Sequence, residues 1–130
     1  MAKNKVFIDY DSNDDKAAKD RLLGWDANHE FDFSSYDQPF GVSVDSQDAA
    51  AIKQDLAARI TNSTHFLCIV DKETYRSGWA AWEARKAIEL KKKLVAVKTD
   101  SLNNSPTSLQ GVGASWSKIF NFDSIKKAMN

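Results

Sequence analysis

The chain has 130 residues, 42% of them hydrophobic, which suits one domain over residues 1–130 with a single core. Eighteen lysines and arginines balance eighteen aspartates and glutamates, so no basic excess exists to hold a nucleic-acid backbone, and nucleic acid is not an expected partner. A lone cysteine (Cys68) and two widely separated histidines (His29 and His65) exclude intrachain disulfides and give no metal-ligand spacing, and no apolar run approaches the ~18 residues of a membrane span.

The first residues run directly into a strand pattern instead of an apolar leader, which reads as a cytoplasmic protein that does not engage a membrane. Residues 5–10 form the first expected strand. Asp11 or Ser12 is placed to cap a helix reaching about Trp25, with Ala18, Leu22 and Trp25 at helical spacing. In residues 31–36, Phe31 and Phe33 alternate with Asp32 and Ser34, as in a half-exposed edge strand. Pro39 and Gly41 punctuate the loop that follows, and Ser46 is expected to cap a helix bearing Ile52, Leu56 and Ile60 on one face.

Residues 65–70 are a continuous apolar run, the pattern of a central strand covered on both sides. A helix over residues 78–92 is expected to bury Ala81, Ala84 and Ile88, with Lys91, Lys92 and Lys93 at the negative end of its dipole. Residues 94–98 make a fourth strand and residues 117–122 a fifth, leading to a final helix that Asp123 is placed to cap. Strands alternating with helices imply an α/β fold: a doubly wound, flavodoxin-like parallel sheet of five strands in the order 2-1-3-4-5, with helices on both faces.

That order puts a switch point between the first and third strands, where open α/β sheets bind ligands. The opening is bordered by residues 9–14 and 71–78, with the loop of residues 37–45 leaning over it. Asp9, Asp11, Asp14 and Asp15 would repel a phosphate there, which disfavours flavin mononucleotide. Gly111-Val112-Gly113 precedes a strand and is a turn, not a dinucleotide fingerprint.

Val6-Phe7-Ile8-Asp9-Tyr10 resembles the first-strand signature of TIR domains, and Trp79-Ala80-Ala81-Trp82-Glu83 resembles their helix segment in which glutamate follows tryptophan by four positions. Gly111-Val112-Gly113-Ala114-Ser115-Trp116 is similar to the corresponding stretch of small bacterial TIR-like proteins, including the TIR subunit of the Thoeris antiphage system. The resemblance covers nearly the whole chain. It departs at Asp9, where many TIR domains carry serine.

The resemblance implies cleavage of NAD between nicotinamide and ribose, with Glu83 as the catalytic carboxylate. Substrate contacts fall on Phe7, Asp9, Tyr10, Asp11, Asp37, Phe40, Ser77 and Trp79; NAD is the substrate, and no cofactor or metal is implied. The products would be ADP-ribose or a cyclic isomer, a defence signal acting on a separate effector protein, and TIR–TIR contacts imply self-assembly. One carboxylate suffices chemically, because the cationic nicotinamide departs neutral and needs no acid. An ionised Glu83 would steady the developing oxocarbenium ion, and Trp79 or Tyr10 would lie against the pyridinium ring.

The residues also admit plainer roles. Glu83 on a charged helix would ordinarily pair with Lys86 in solvent. Trp79 and Trp82 suit partial core burial, Asp9 and Asp11 a strand end and a cap, Tyr36 and Phe40 local packing, and Cys68 the core. Two other functions share the architecture. A phosphoacceptor receiver would use Asp9, Asp11, Asp71 and Thr99 but lacks a lysine at the expected end of the fifth strand. A non-catalytic TIR-like interaction module would use the loop around Pro39-Phe40-Gly41.

Overall fold

The fully apolar run His65–Val70 becomes the central strand, with all six residues buried. The computed structural model describes residues 4–11, 15–25, 31–36 and 41–130. Five parallel strands, β1 (Asn4–Asp9), β2 (Phe31–Ser35), β3 (His65–Val70), β4 (Lys93–Lys98) and β5 (Ser115–Ser117), lie in the order β2-β1-β3-β4-β5. The doubly wound α/β sheet expected from the sequence is therefore the observed one. The helices are α1 (Lys16–Leu23), α2 (Ala49–Thr61), α3 (Gly78–Glu89) and α4 (Phe122–Met129).

Because side chains alternate along a strand, each strand feeds two cores. Phe7, Phe66, Cys68 and Ala96 face α2 and α3, packing against Ile52, Leu56, Ile60 and Ala84. Val6, Ile8, Leu67 and Val95 face α1 and α4, packing against Leu22, Ile125 and Met129. Leu56 and Ile60 have no exposed surface, and each contributes about 2 kcal/mol through burial. Among the described residues, no helix is long and apolar enough to cross a membrane.

Several boundaries differ from expectation for identifiable reasons. α1 starts at Lys16 with Asp15 in the cap position, yet Asp15 makes no side-chain cap bond; its carboxyl is engaged with Asp71 instead. Ser12 lies outside the described residues. Ser46 donates to Ser43 O at 2.7 Å and does not cap α2, which begins at Ala49. β5 lies earlier than residues 117–122 and is only three residues long, because Asn121 already caps α4 by accepting from Ser124 N at 3.2 Å. Asp123 sits in the first turn of α4.

The largest departure is in α3. Its buried residues are Ala80, Glu83, Ala84 and Ala87: Ala84 is buried as expected, while Ala80 and Ala87 are buried in place of Ala81 and Ile88, which are only half-buried. A reading based on hydrophobicity could not choose this face, because a carboxyl sits at its centre.

Candidate functional site

Alternation along β1 puts Asp9 on the same side as Phe7, facing α3, and the β1–β3 register sets it opposite Cys68. The chain after β3 turns through a short 3-10 segment, Thr74–Arg76, before Ser77 adopts extended geometry and its Oγ accepts from Ala80 N at 3.1 Å. That cap fixes where α3 begins, and Glu83 follows in its second turn. Glu83 is 1% exposed. The expected solvent pair with Lys86 is absent: Lys86 Nζ instead meets Glu89 Oε2 at 3.1 Å.

Beside this corner is a hollow of about 170 Å³, lined by Asp9, Tyr10, Asp11, Tyr36, Ile69, Thr74, Ser77, Trp79 and Ala80. Trp79 donates from Nε1 to Val42 O at 2.8 Å, tying the start of α3 to the chain that follows β2. Gly78 permits that approach, since a Cβ there would sit 2.8 Å from Val44 Cγ1. Lys19 Nζ lies 5.0 Å from the Tyr10 ring and the Arg59 guanidinium 4.9 Å from that of Tyr36, while Trp79 meets Trp82 edge-on at 6.2 Å.

The carboxyls are arranged as pairs. Burial pushes Asp9 above the usual carboxylate range, and the charge of Asp11 adds to this. Hydrogen bonds from Glu83 and from the Cys68 thiol act in the opposite direction. Two carboxyls joined by a hydrogen bond need a proton between them, since a carboxylate only accepts. Burial raises the Cys68 thiol well above its ordinary value, and the Asp9 charge raises it further, so it is a neutral thiol, as its core position implied.

The expected site residues thus separate into groups. Asp9, Tyr10, Asp11, Ser77 and Trp79 meet around one hollow, while Glu83 does not line it but interacts with Asp9, which does. Phe7 does not reach the hollow: it is 1% exposed and stacks on Phe66 with centroids 6.3 Å apart. It shares a side of β1 with Asp9 but sits two residues short of the strand end, and so packs in the core. Asp37 and Phe40 lie outside the described residues. Tyr36, read from the sequence as a packing aromatic, and Thr74 also line the hollow. Tyr36 directly follows β2 at the sheet's carboxyl edge, which is the signal that marks it.

A family model for the TIR-like domain of the Thoeris protein ThsB matches residues 7–104. The chain belongs to this family. The matched span of this ThsB-type TIR-like domain contains Asp9, Trp79 and Glu83. A solved structure of a 2-deoxyribosyltransferase from Bacillus psychrosaccharolyticus is similar with a TM-score of 0.63, covering 92% of this chain and 90% of its own at 14% identity, a likeness of fold alone. No curated protein matches the sequence.

A second acidic pair lies across the β1–β3 edge of the TIR-like domain. Burial pushes Asp15 up to about 8, reinforced by the hydrogen bond and charge of Asp71. Burial also acts to raise Asp71, but its hydrogen bonds with Asp15, Glu73 N and Thr74 outweigh it and leave Asp71 below its ordinary value. Asp71 Oδ1 accepts from Glu73 N at 2.7 Å, Thr74 N at 2.9 Å and Thr74 Oγ1 at 2.9 Å. An oxygen so engaged in shaping the turn before α3 is poorly suited to accept a phosphoryl group. Lys118, which the early end of β5 places directly after the strand, lines a different opening with Lys98 and Trp116.

Proposed function

We propose that this domain cleaves NAD at the bond between nicotinamide and ribose, with Glu83 as the catalytic carboxylate and Asp9 beside it. The observation that carries the reading is a glutamate drawn into the protein at 1% exposure and interacting with Asp9, which lines a hollow at the switch point of the sheet. A glutamate kept only for solubility would lie in solvent. Membership of the ThsB TIR-like family supports the same chemistry, together with a role in antiphage defence.

The hollow, about 170 Å³, suits one end of a dinucleotide, the nicotinamide ring and its ribose. Trp79 is the aromatic wall for the pyridinium, because the rings of Tyr10 and Tyr36 already have Lys19 and Arg59 beside them. Asp9, Asp11 and Ser77 are the polar contacts for ribose. When the C1′–N bond breaks, its electron pair goes to the pyridinium nitrogen and nicotinamide leaves neutral. The carboxylate stabilises the positive charge that grows at C1′ and on the ring oxygen. Water then captures C1′ to give ADP-ribose, or a nucleophile of the same molecule does so to give a cyclic isomer, and a proton is released in either case. Products of this kind act on a separate effector protein in the cytoplasm, and self-association of the domain accompanies turnover.

The test is nicotinamide release from NAD by purified protein at concentrations that allow assembly, with Glu83→Gln alongside. The variant is expected to fold and to lose roughly 10²-fold or more in kcat, the scale of removing a preorganised electrostatic group. Normal turnover by Glu83→Gln would refute the role of Glu83. No release by the wild-type chain would leave the interaction-module reading in its place.

A further inference from the structure

We infer that the open groove beside the carboxyl ends of β4 and β5 binds a nucleoside phosphate, at a site separate from the Asp9 hollow. The inference goes beyond NAD cleavage and stands whether or not the domain performs it.

The register of the sheet builds the groove. Trp116 of β5 pairs with Ala96 of β4, which faces α2 and α3. Lys98 and Lys118 each follow two residues later, so alternation carries both to that side of the sheet, at its carboxyl end. Open α/β sheets bind their ligands at this end. The chain between the two strands supplies the facing wall, where a 3-10 turn, Thr107–Leu109, buries Leu109 in the core and leaves Gln110 and Gly111 exposed. Between them lies about 720 Å³, bordered by Lys98, Asn104, Gln110, Gly111, Trp116 and Lys118.

The charge of this groove points to its ligand. The chain has as many acidic as basic residues, yet two lysines and no carboxylate line the groove. Asp100, only two residues beyond Lys98, lines the other opening with Asp15 and Asp71. Among the described residues, the ion pairs involve neither Lys98 nor Lys118. Lys98 Nζ lies 5.6 Å from the centre of the Trp116 ring, a cation–π contact that holds the ammonium at the groove. Two ammonium groups at one mouth repel each other, and a phosphate between them relieves that repulsion through charge-assisted hydrogen bonds.

The remaining walls suit a flat base. An indole is wider than one ammonium group, so Trp116 keeps ring area on which a base can stack. Gln110 donates from Nε2 to Ser105 O at 2.8 Å, which fixes the amide and leaves its Oε1 to accept from an exocyclic amine. Gly111 has a φ of 69°, and a Cβ there would meet nothing within 4 Å, so its backbone is open to a ligand. Inorganic phosphate would use the lysines alone. The Asp9 hollow, with Asp9 and Asp11 in its walls, has the opposite charge, and the two openings therefore sort ligands by sign.

The test titrates AMP, adenosine and inorganic phosphate separately into the nitrogen-15-labelled chain, with backbone amide and tryptophan indole signals as the readout. AMP is expected to move the Trp116 indole and the Gly111 amide and to leave the Trp79 indole in place. It should bind roughly tenfold more tightly than adenosine or phosphate, because each of these lacks one of the two contacts. Lys118 is exposed, so Lys118→Glu should keep the fold and weaken AMP roughly tenfold, the scale of one hydrogen bond to a charged group. Lys98→Gln should weaken it similarly, and added salt should cost the wild type more affinity than either variant. Still signals at Trp116 and Gly111 with millimolar AMP, or movement at Trp79 alone, would overturn the site. Equal AMP affinity in the wild type and both variants would remove the lysines, and phosphate binding as tightly as AMP would remove the base; either result overturns the proposal. Nicotinamide release plays no part in these readouts, so loss of the NAD-cleaving reading leaves them unchanged.

Discussion

Asp15→Asn isolates the second acidic pair and provides a stability test that is independent of catalysis. Asp15 is 3% exposed, and its carboxyl titrates at about 8 in the folded protein against 3.8 for an unperturbed aspartate. Burial is the main cause, followed by the hydrogen bond and charge of Asp71. Since the folded value lies above the unfolded one, the stability it contributes is complete below 3.8 and is lost as the pH rises through about 8. At about 1.4 kcal/mol per pH unit, the whole window amounts to roughly 6 kcal/mol, of which about 4 kcal/mol is already lost by pH 7. Asp71 shifts the other way, so its own window lies below 3.8 and does not overlap this one.

Asparagine keeps both contacts without titrating. Its amide donates to Asp71 in place of the shared proton, and its carbonyl accepts from Asp11 N as Asp15 Oδ2 does at 3.4 Å. Urea unfolding followed by tryptophan fluorescence should find the variant close to wild type near pH 5 and more stable by about 2 kcal/mol near pH 8, a fraction of the full window after structural relaxation. A variant less stable than wild type at the alkaline end, or a difference that does not change with pH, would refute the shared proton at Asp15.

Ser77→Ala removes the oxygen that accepts from Ala80 N, and a loss of about 1 kcal/mol in the same unfolding assay is expected. Because the cap sets the start of α3, KM for NAD should rise as well. Trp79→Phe keeps an aromatic wall but deletes the 2.8 Å bond to Val42 O; stability should fall by about 1 kcal/mol, and hydrogen exchange in residues 42–46 should accelerate. Unchanged exchange there would show that the indole does not hold the loop down.

The strand order and the central position of β3 were legible in the sequence, because continuous apolar runs and half-alternating runs differ in how many faces they must bury. The lining of the hollow was legible in part: Asp9, Tyr10, Asp11 and Ser77 follow from the rule that strand ends at a switch point face one opening, and Trp79 from the resemblance to TIR domains. Phe7 does not reach the hollow, because a motif names neighbours in the chain while only residues at the carboxyl end of β1 reach the opening, and Phe7 sits two residues short of it. What only the tertiary structure decided is the pairing of carboxyls. A hydrophobic pattern assigns a glutamate to the wet side of a helix, and nothing local shows that Glu83 is buried and meets Asp9, seventy-four residues away in the chain. Local patterning fixes which apolar residues must be dry; the burial of Glu83 and its neighbour from a distant strand exist only once the sheet has assembled.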